Sequence, residues 1–198
     1  MEIEVFGNTI NPSVVVIGVF HGDEPQGDYL IRSYFKSNPD TNLLLIPCLN
    51  TEGMRKNTRL NGNGVDLNRN FPAKNWVSGE KNEYYGGESP ASEKETKFII
   101  SVIEKYSPKA ILSLHAPYKI VNYDGGKDGS GRKLAQMISD IIEYPVEENI
   151  GYPTPGSFGT WAGTEKDIPT ITLELDEEID VRKLTQPVFQ IFEMLENY

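Results

Sequence analysis

VVVIGVFHGDE, residues 14–24, decides how the chain is read. Val14 to Phe20 is an unbroken apolar run, with one glycine and no alternation, as a strand buried on both faces of a sheet requires. The run stops at His21, and Gly22-Asp23-Glu24-Pro25 makes a tight turn into a predicted helix. Open α/β sheets gather their ligands outside the carboxyl ends of the strands, which is where His21 and Glu24 fall. A histidine and a carboxylate three residues apart across such a turn can face one metal ion, and the pair is read as two zinc ligands.

The rest of the chain repeats the strand–helix alternation. Glu2 to Phe6 alternates charged and apolar residues, predicting an edge strand. Leu30, Ile31, Tyr34 and Phe35 give one apolar helix face, and Asn38-Pro39-Asp40 ends that helix. Leu43 to Ile46 reads as a second buried strand, and Asn50 to Glu88, rich in Asn, Gly, Arg and Lys, as a long ordered loop. Ser89-Pro90 reads as an N-cap followed by the first helical residue, before a stripe of Phe98, Ile99, Val102, Ile103 and Tyr106. Strands are expected at Ala110–Leu114, Tyr118–Tyr123 and Thr170–Leu175, and helices at Ser130–Glu143 and from Leu184 to Leu195. GYPTPGSFGTWAG, residues 151–163, reads as a Gly/Pro-rich loop. The implied fold class is α/β, one domain over residues 1–198, with a mixed, mostly parallel twisted sheet and helices on both faces.

Composition limits the function classes. Of 198 residues, 38% are hydrophobic and 24% charged, an ordinary globular balance. A net charge of −10 argues against nucleic acid or an anionic membrane as the partner. Cys48 is the one cysteine, so no intrachain disulfide forms, and its setting after LLLIP suits a small core residue. The start lacks the basic and apolar regions of a signal peptide, and no apolar run is long enough to span a bilayer, so a cytoplasmic location is expected.

The two histidines each follow a predicted buried strand, His21 after VVVIGVF and His115 after AILSL. A histidine, a glutamate and a second histidine leave a fourth position on zinc for water, as a catalytic site needs. Glu174 ends a third apolar strand, where a carboxylate is costly to bury without a task; beside an activated water it can take a proton and pass it to a leaving amine. The loop MRKNTRLNGNGVDLNRNFP, residues 54–72, interleaves Arg55, Arg59 and Arg69 with Asn and Gly. Guanidinium groups grip carboxylates with paired hydrogen bonds, so Asn68 with Arg69 can hold a terminal carboxylate. A further arginine can polarise a carbonyl, and Asp66 can accept the second N–H of a zinc-bound histidine.

HGDE, NTRLNGNGVDLNRNFP, SLHAP and TLELD, in this order over residues 14–176, resemble the zinc carboxypeptidases of the carboxypeptidase A type. IPCLN, GVDLNRNFP, SLHAP and YPTPGSFGTWAG look most like the small bacterial murein peptide amidases, which cleave between γ-D-glutamate and diaminopimelate. The resemblance implies a zinc carboxypeptidase-like fold and one Zn2+ per chain on His21, Glu24 and His115. It implies Glu174 as general base, Arg59 polarising the carbonyl with Arg55 as a neighbour, and Asn68 with Arg69 as the carboxylate anchor. Asp66 matches the partner of the first histidine. Tyr152 matches the mobile capping tyrosine only loosely, and a tyrosine packed in a Pro-rich loop is an equal reading. Phe158 falls near the position that shapes the side-chain pocket, and Asp124 is a candidate partner for the second amino group of diaminopimelate. The substrate so implied is a small peptide with a free C-terminal carboxylate. The HGDEP and DLNR-type signatures are also shared by the N-acyl amino acid deacylases of the aspartoacylase and succinylglutamate desuccinylase type, against which TLELD and the 151–163 loop weigh. A metal-binding module without turnover is the remaining reading, opposed by competent residues at every catalytic position.

Overall fold

The computed structural model describes residues 2–198. Seven strands form one sheet: β1 (Phe6–Gly7), β2 (Val14–Gly18), β3 (Leu44–Ile46), β4 (Ala110–His115), β5 (Ile120–Asp124), β6 (Val146–Glu147) and β7 (Thr170–Glu174). Their spatial order is β1-β3-β2-β4-β7-β5-β6. Pairing is parallel between β3, β2, β4 and β7 and between β5 and β6, and antiparallel at β1–β3 and β5–β7. The α-helices among the described residues are α1 (Gln26–Ser37), α2 (Thr51–Lys56), α3 (Lys94–Tyr106), α4 (Ser130–Ile142) and α5 (Thr185–Leu195). This is the mixed, mostly parallel α/β sheet expected from the sequence.

Strand side chains alternate between the two faces, and here both faces are apolar. Val14, Val16, Leu45, Leu112, Leu114 and Leu173 pack with residues of α1, α4 and α5. Val15, Ile17, Leu44, Ile46 and Ile111 pack on the other face with Ile99, Val102 and Ile103 of α3 and with Phe71, Phe158 and Trp161 from the connecting segments. Each such side chain contributes about 1.5–3 kcal/mol of burial. By the same parity, Ser113, His115, Thr172 and Glu174 point to the α3 side, and the cleft described below opens there. No helix among the described residues is long and apolar enough to cross a membrane.

Four expectations are corrected. The alternation at Glu2–Phe6 gives only the two-residue β1; Ile3 and Val5 are half-buried against the core without joining the ladder, so their period reports partial burial rather than pairing. The Asn50–Glu88 stretch is not all loop. Asn50 accepts from Gly53 N at 2.9 Å to cap α2, and Asp66 accepts from Asn68 N at 2.8 Å to cap a 3-10 turn at Leu67–Arg69. Ser89 does not cap α3, which starts at Lys94; Asn70 Nδ2 holds the Ser89 carbonyl instead, at 3.1 Å. Within the supposed 151–163 loop, Gly159–Glu165 winds into a π-helical turn, and Val146–Glu147 is a strand too short to show a period.

Gly22, in the turn that follows His21, lies directly against the backbone of α2. A Cβ there would stand 2.0 Å from the Gly53 carbonyl carbon and 2.3 Å from Met54 N, both backbone atoms. Gly22→Ala is therefore expected to cost about 2–3 kcal/mol through overpacking, seen as a lower urea midpoint at unchanged m-value. An unchanged midpoint would contradict this contact.

Candidate active site

Three neighbouring parallel strands deliver the site. β2 leads through Val19 and Phe20 to His21, while β4 and β7 pair His115 with Glu174 in register. Val19 is buried and has a positive φ of 54°, a rare conformation for a β-branched residue. Its carbonyl accepts from Asn50 N at 2.9 Å, which helps hold the turn. Asn50 Nδ2 also donates to the carbonyls of Phe20 at 3.2 Å and Arg59 at 3.1 Å. One buried amide thus ties the first histidine's strand to the arginine loop. Phe20 stacks on the His115 ring at 5.3 Å and fixes its plane.

His21, Glu24 and His115 converge, each offering one donor atom within 4.8 Å of the others. His21 Nδ1 is 2.8 Å from Glu24 Oε1, and His115 Nδ1 is 3.0 Å from Glu24 Oε2. On the far edge of the first ring, His21 Nε2 lies 3.1 Å from Asp66 Oδ1. A carboxylate accepting the outer N–H leaves the Nδ1 lone pair facing inward, the arrangement that prepares an imidazole for a metal. All three residues are buried, between 3% and 9% exposed. Burial alone would lower the His21 pKa; the carboxylates of Asp66 and Glu24 overturn that and push it up to about 9. Burial works the opposite way on Glu24 and Asp66, yet the adjacent imidazoles, with Arg59 beside Asp66, hold both well below the usual carboxylate range. Two imidazole nitrogens and one ionised carboxylate are a donor set that fits zinc.

Glu174 stands beside this cluster, 6% exposed, and its Oε2 is buried with no hydrogen-bond partner among the described residues. Burial raises its pKa against the opposing pull of His115. Asp66 Oδ2 accepts from Arg59 Nη2 at 2.8 Å and Nε at 3.2 Å, and Arg59 Nη1 is left 3.3 Å from His21 Nδ1. Arg69 is 4% exposed; its Nη1 donates to the Asn68 carbonyl at 2.8 Å, and it forms no ion pair among the described residues. Asn68 Oδ1 accepts from Phe158 N at 2.9 Å, which orients the amide. Tyr152, 40% exposed, lines the cleft with Asn68 and Glu174, and burial with the Tyr118 hydroxyl pushes its phenol up to about 12. Arg55 lies exposed on the last turn of α2, outside this hydrogen-bonded group.

Sequence reasoning missed the segment around Tyr84. The Glu83 carbonyl accepts from Arg59 Nε at 3.2 Å, and the Tyr85 carbonyl accepts from Asp66 N at 2.9 Å. The one available signal was the aromatic pair Tyr84-Tyr85 in an otherwise polar stretch.

Residues 6–192 match the family profile described as zinc carboxypeptidase. Murein peptide amidase A of Escherichia coli K12 is 33% identical over 142 residues, covering 66% of this chain and 56% of that protein. This chain therefore spans little more than half the length of that relative. The crystal structure of the murein-tripeptide amidase MpaA from Escherichia coli O157 superposes with a TM-score of 0.80 at 26% identity, covering 96% of this chain and 83% of that one. A succinylglutamate desuccinylase/aspartoacylase from Rhodobacter sphaeroides superposes at 0.66 with 18% identity, over 96% of this chain and 57% of that one, a likeness of fold alone.

Proposed function

The chain belongs to the zinc carboxypeptidase family, and from that premise we propose a zinc-dependent exopeptidase that hydrolyses the bond before a C-terminal amino or diamino acid. The substrate we propose is a murein peptide, cut between γ-D-glutamate and diaminopimelate. The observation that carries the reading is Glu174, an orphaned buried carboxylate in register with His115 beside three converging donors.

His21, Glu24 and His115 would hold one zinc, which when bound supplies a Lewis acid for the carbonyl and lowers the pKa of a water. Glu174 takes a proton from the attacking water at Oε2 and returns it to the leaving nitrogen. Arg59, braced on Asp66, turns Nη1 toward the cluster, where negative charge develops on the carbonyl oxygen. Arg69 and Asn68 receive the terminal carboxylate, and Tyr152 flanks the opening.

Asp124 supports a diamino acid. It lines the same cleft as Glu174, with Asn122, Glu148 and Thr172, and among the described residues no Lys or Arg lines this part of the wall. Its carboxylate accepts one hydrogen bond, from Thr164 Oγ1 at 3.3 Å, and burial raises its pKa. A Cβ on Gly159 would stand 2.2 Å from Asp124 Oδ2, so the missing side chain leaves that carboxylate its room. A substrate ammonium would supply the absent cation. Asp124→Asn is expected to lower kcat/KM for a diaminopimelate peptide roughly tenfold, the scale of one charged hydrogen bond, and to spare a norleucine peptide. Equal losses on both would separate Asp124 from selectivity.

Mass spectrometry of products from a mixed library tests the whole reading. It would contain murein tripeptide, ordinary peptides and acyl-aspartate. Release of single C-terminal residues, diaminopimelate foremost and only with divalent metal present, is expected. Preferential hydrolysis of acyl-aspartate, or cleavage at internal bonds, would overturn it.

A further inference from the structure

Tyr84 is a large aromatic side chain left 47% exposed, lining with Arg69 and Tyr152 a pocket next to the Glu174 cleft. Its ring sits under two cations at once: the Arg59 guanidinium carbon is 5.4 Å from the ring centroid and that of Arg69 is 5.7 Å. Both distances lie in the range where a ring face attracts a guanidinium. Arg59 is paired with Asp66, whereas Arg69 has one hydrogen bond and no ion pair among the described residues to hold it. The stretch is attached elsewhere as well, since the Glu83 carbonyl takes Arg59 Nε and the Tyr85 carbonyl takes Asp66 N. It runs as a strap across the arginines, with the Tyr84 ring as its inner surface.

We propose that Tyr84 is a positioning residue, whose ring face fixes the guanidinium planes of Arg59 and Arg69 in the orientation in which they meet the substrate. It touches no metal donor and moves no proton. The ring stands in for a carboxylate, which Arg69 does not meet among the described residues, without consuming the N–H groups that a substrate carboxylate needs. An acidic side chain there would occupy those donors and compete with the substrate. The proposal rests on the roles given above to Arg59 and Arg69, so its test includes measurements that need no turnover.

Two variants separate ring face from bulk. Tyr84→Phe keeps the ring, and Tyr84→Leu keeps an apolar side chain without the quadrupole. With zinc content and melting temperature matched to the parent, Tyr84→Leu is expected to raise KM and lower kcat about three- to tenfold each, while Tyr84→Phe stays within about twofold of the parent in both. Calorimetric binding of N-acetyl-lysine, a ligand with a free carboxylate, should weaken to the same extent as KM in the Leu variant only. In 15N-arginine-labelled protein, the Nε–H resonances of Arg59 and Arg69, assigned through Arg59→Lys and Arg69→Lys, should lose their ring-current displacement in Tyr84→Leu and keep it in Tyr84→Phe. If no peptide is hydrolysed by the parent, the hydrolase reading falls while ligand binding and the resonances still decide the role of Tyr84. A Leu variant equal to the parent in binding overturns the proposal, even if its resonances move. A Phe variant as impaired as the Leu variant overturns it too, by assigning the effect to the hydroxyl.

Discussion

Glu174→Gln is expected to reduce kcat by at least about a hundredfold, the usual scale of a general-base contribution, with fold and zinc content unchanged. Gln has nearly the same volume and cannot take a proton, so the variant removes one capacity and leaves the packing around β7. The position is set by strand pairing, with His115 opposite Glu174 on β4, so a side-chain change has little leverage on the geometry. The pH dependence gives a second check. As the proposed general base Glu174 must be ionised to work, and burial raises its pKa. The acid limb of kcat/KM should therefore lie above the ordinary glutamate value of about 4.3, with activity lost as pH falls through it. The sign for stability is the reverse. A carboxyl whose folded pKa exceeds its unfolded pKa binds more protons in the native state, so its charge costs stability as pH rises. With metal chelated, Glu174→Gln should melt above the parent at pH 7, and the gap should close toward pH 4. Near-normal turnover in the variant would remove Glu174 from the chemistry, and a lower melting temperature at pH 7 would contradict its burial as a strained charge.

How far the sequence exposed this arrangement depends on the kind of signal each residue carries. β2, β4 and β7 were legible because strands covered on both faces read as apolar runs, and each run ended on a residue that breaks the pattern: His21, His115 or Glu174. Capping chemistry hid the elements of the 50–88 stretch. Asn50 and Asp66 look like loop residues, yet each satisfies the free N–H groups that open a helical turn. The Gly159–Glu165 turn was hidden for another reason: its glycines read as flexibility, whereas Gly159 is bare because Asp124 fills the space a Cβ would take. Tyr84 left only the weak signal of an aromatic pair, since its contacts to two guanidinium groups 15 and 25 positions away leave no periodicity. Contacts that depend on tertiary approach are invisible to a reading built on local spacing.

Arg69→Ala should separate an exopeptidase from any hydrolase that ignores the chain end. Arg69 is buried but has no anionic partner among the described residues, and one of its N–H groups is bonded to them. A guanidinium held in that way is costly unless something arrives to complete it. Its fork matches a carboxylate, and each charged hydrogen bond contributes about 1.5–3 kcal/mol. Removing it should therefore lower kcat/KM on a free-acid peptide by roughly thirtyfold or more, at about 1.4 kcal/mol per tenfold. The C-terminal amide of the same peptide gains nothing from the fork, so the parent should already cleave it slowly and the variant should change that rate by less than about threefold. The loss should fall mainly on KM, because the carboxylate bears its charge before and after the bond breaks, and the interaction is about as strong in the ground state as in the transition state. Arg59→Ala provides the contrast. Its Nη1 lies 3.3 Å from His21 Nδ1, and in the proposed mechanism it meets the charge that develops during reaction, so its loss should fall mainly on kcat. Equal losses on acid and amide in Arg69→Ala would mean that the arginine holds the loop rather than the substrate, and the requirement for a free terminus would have to come from elsewhere in the cleft.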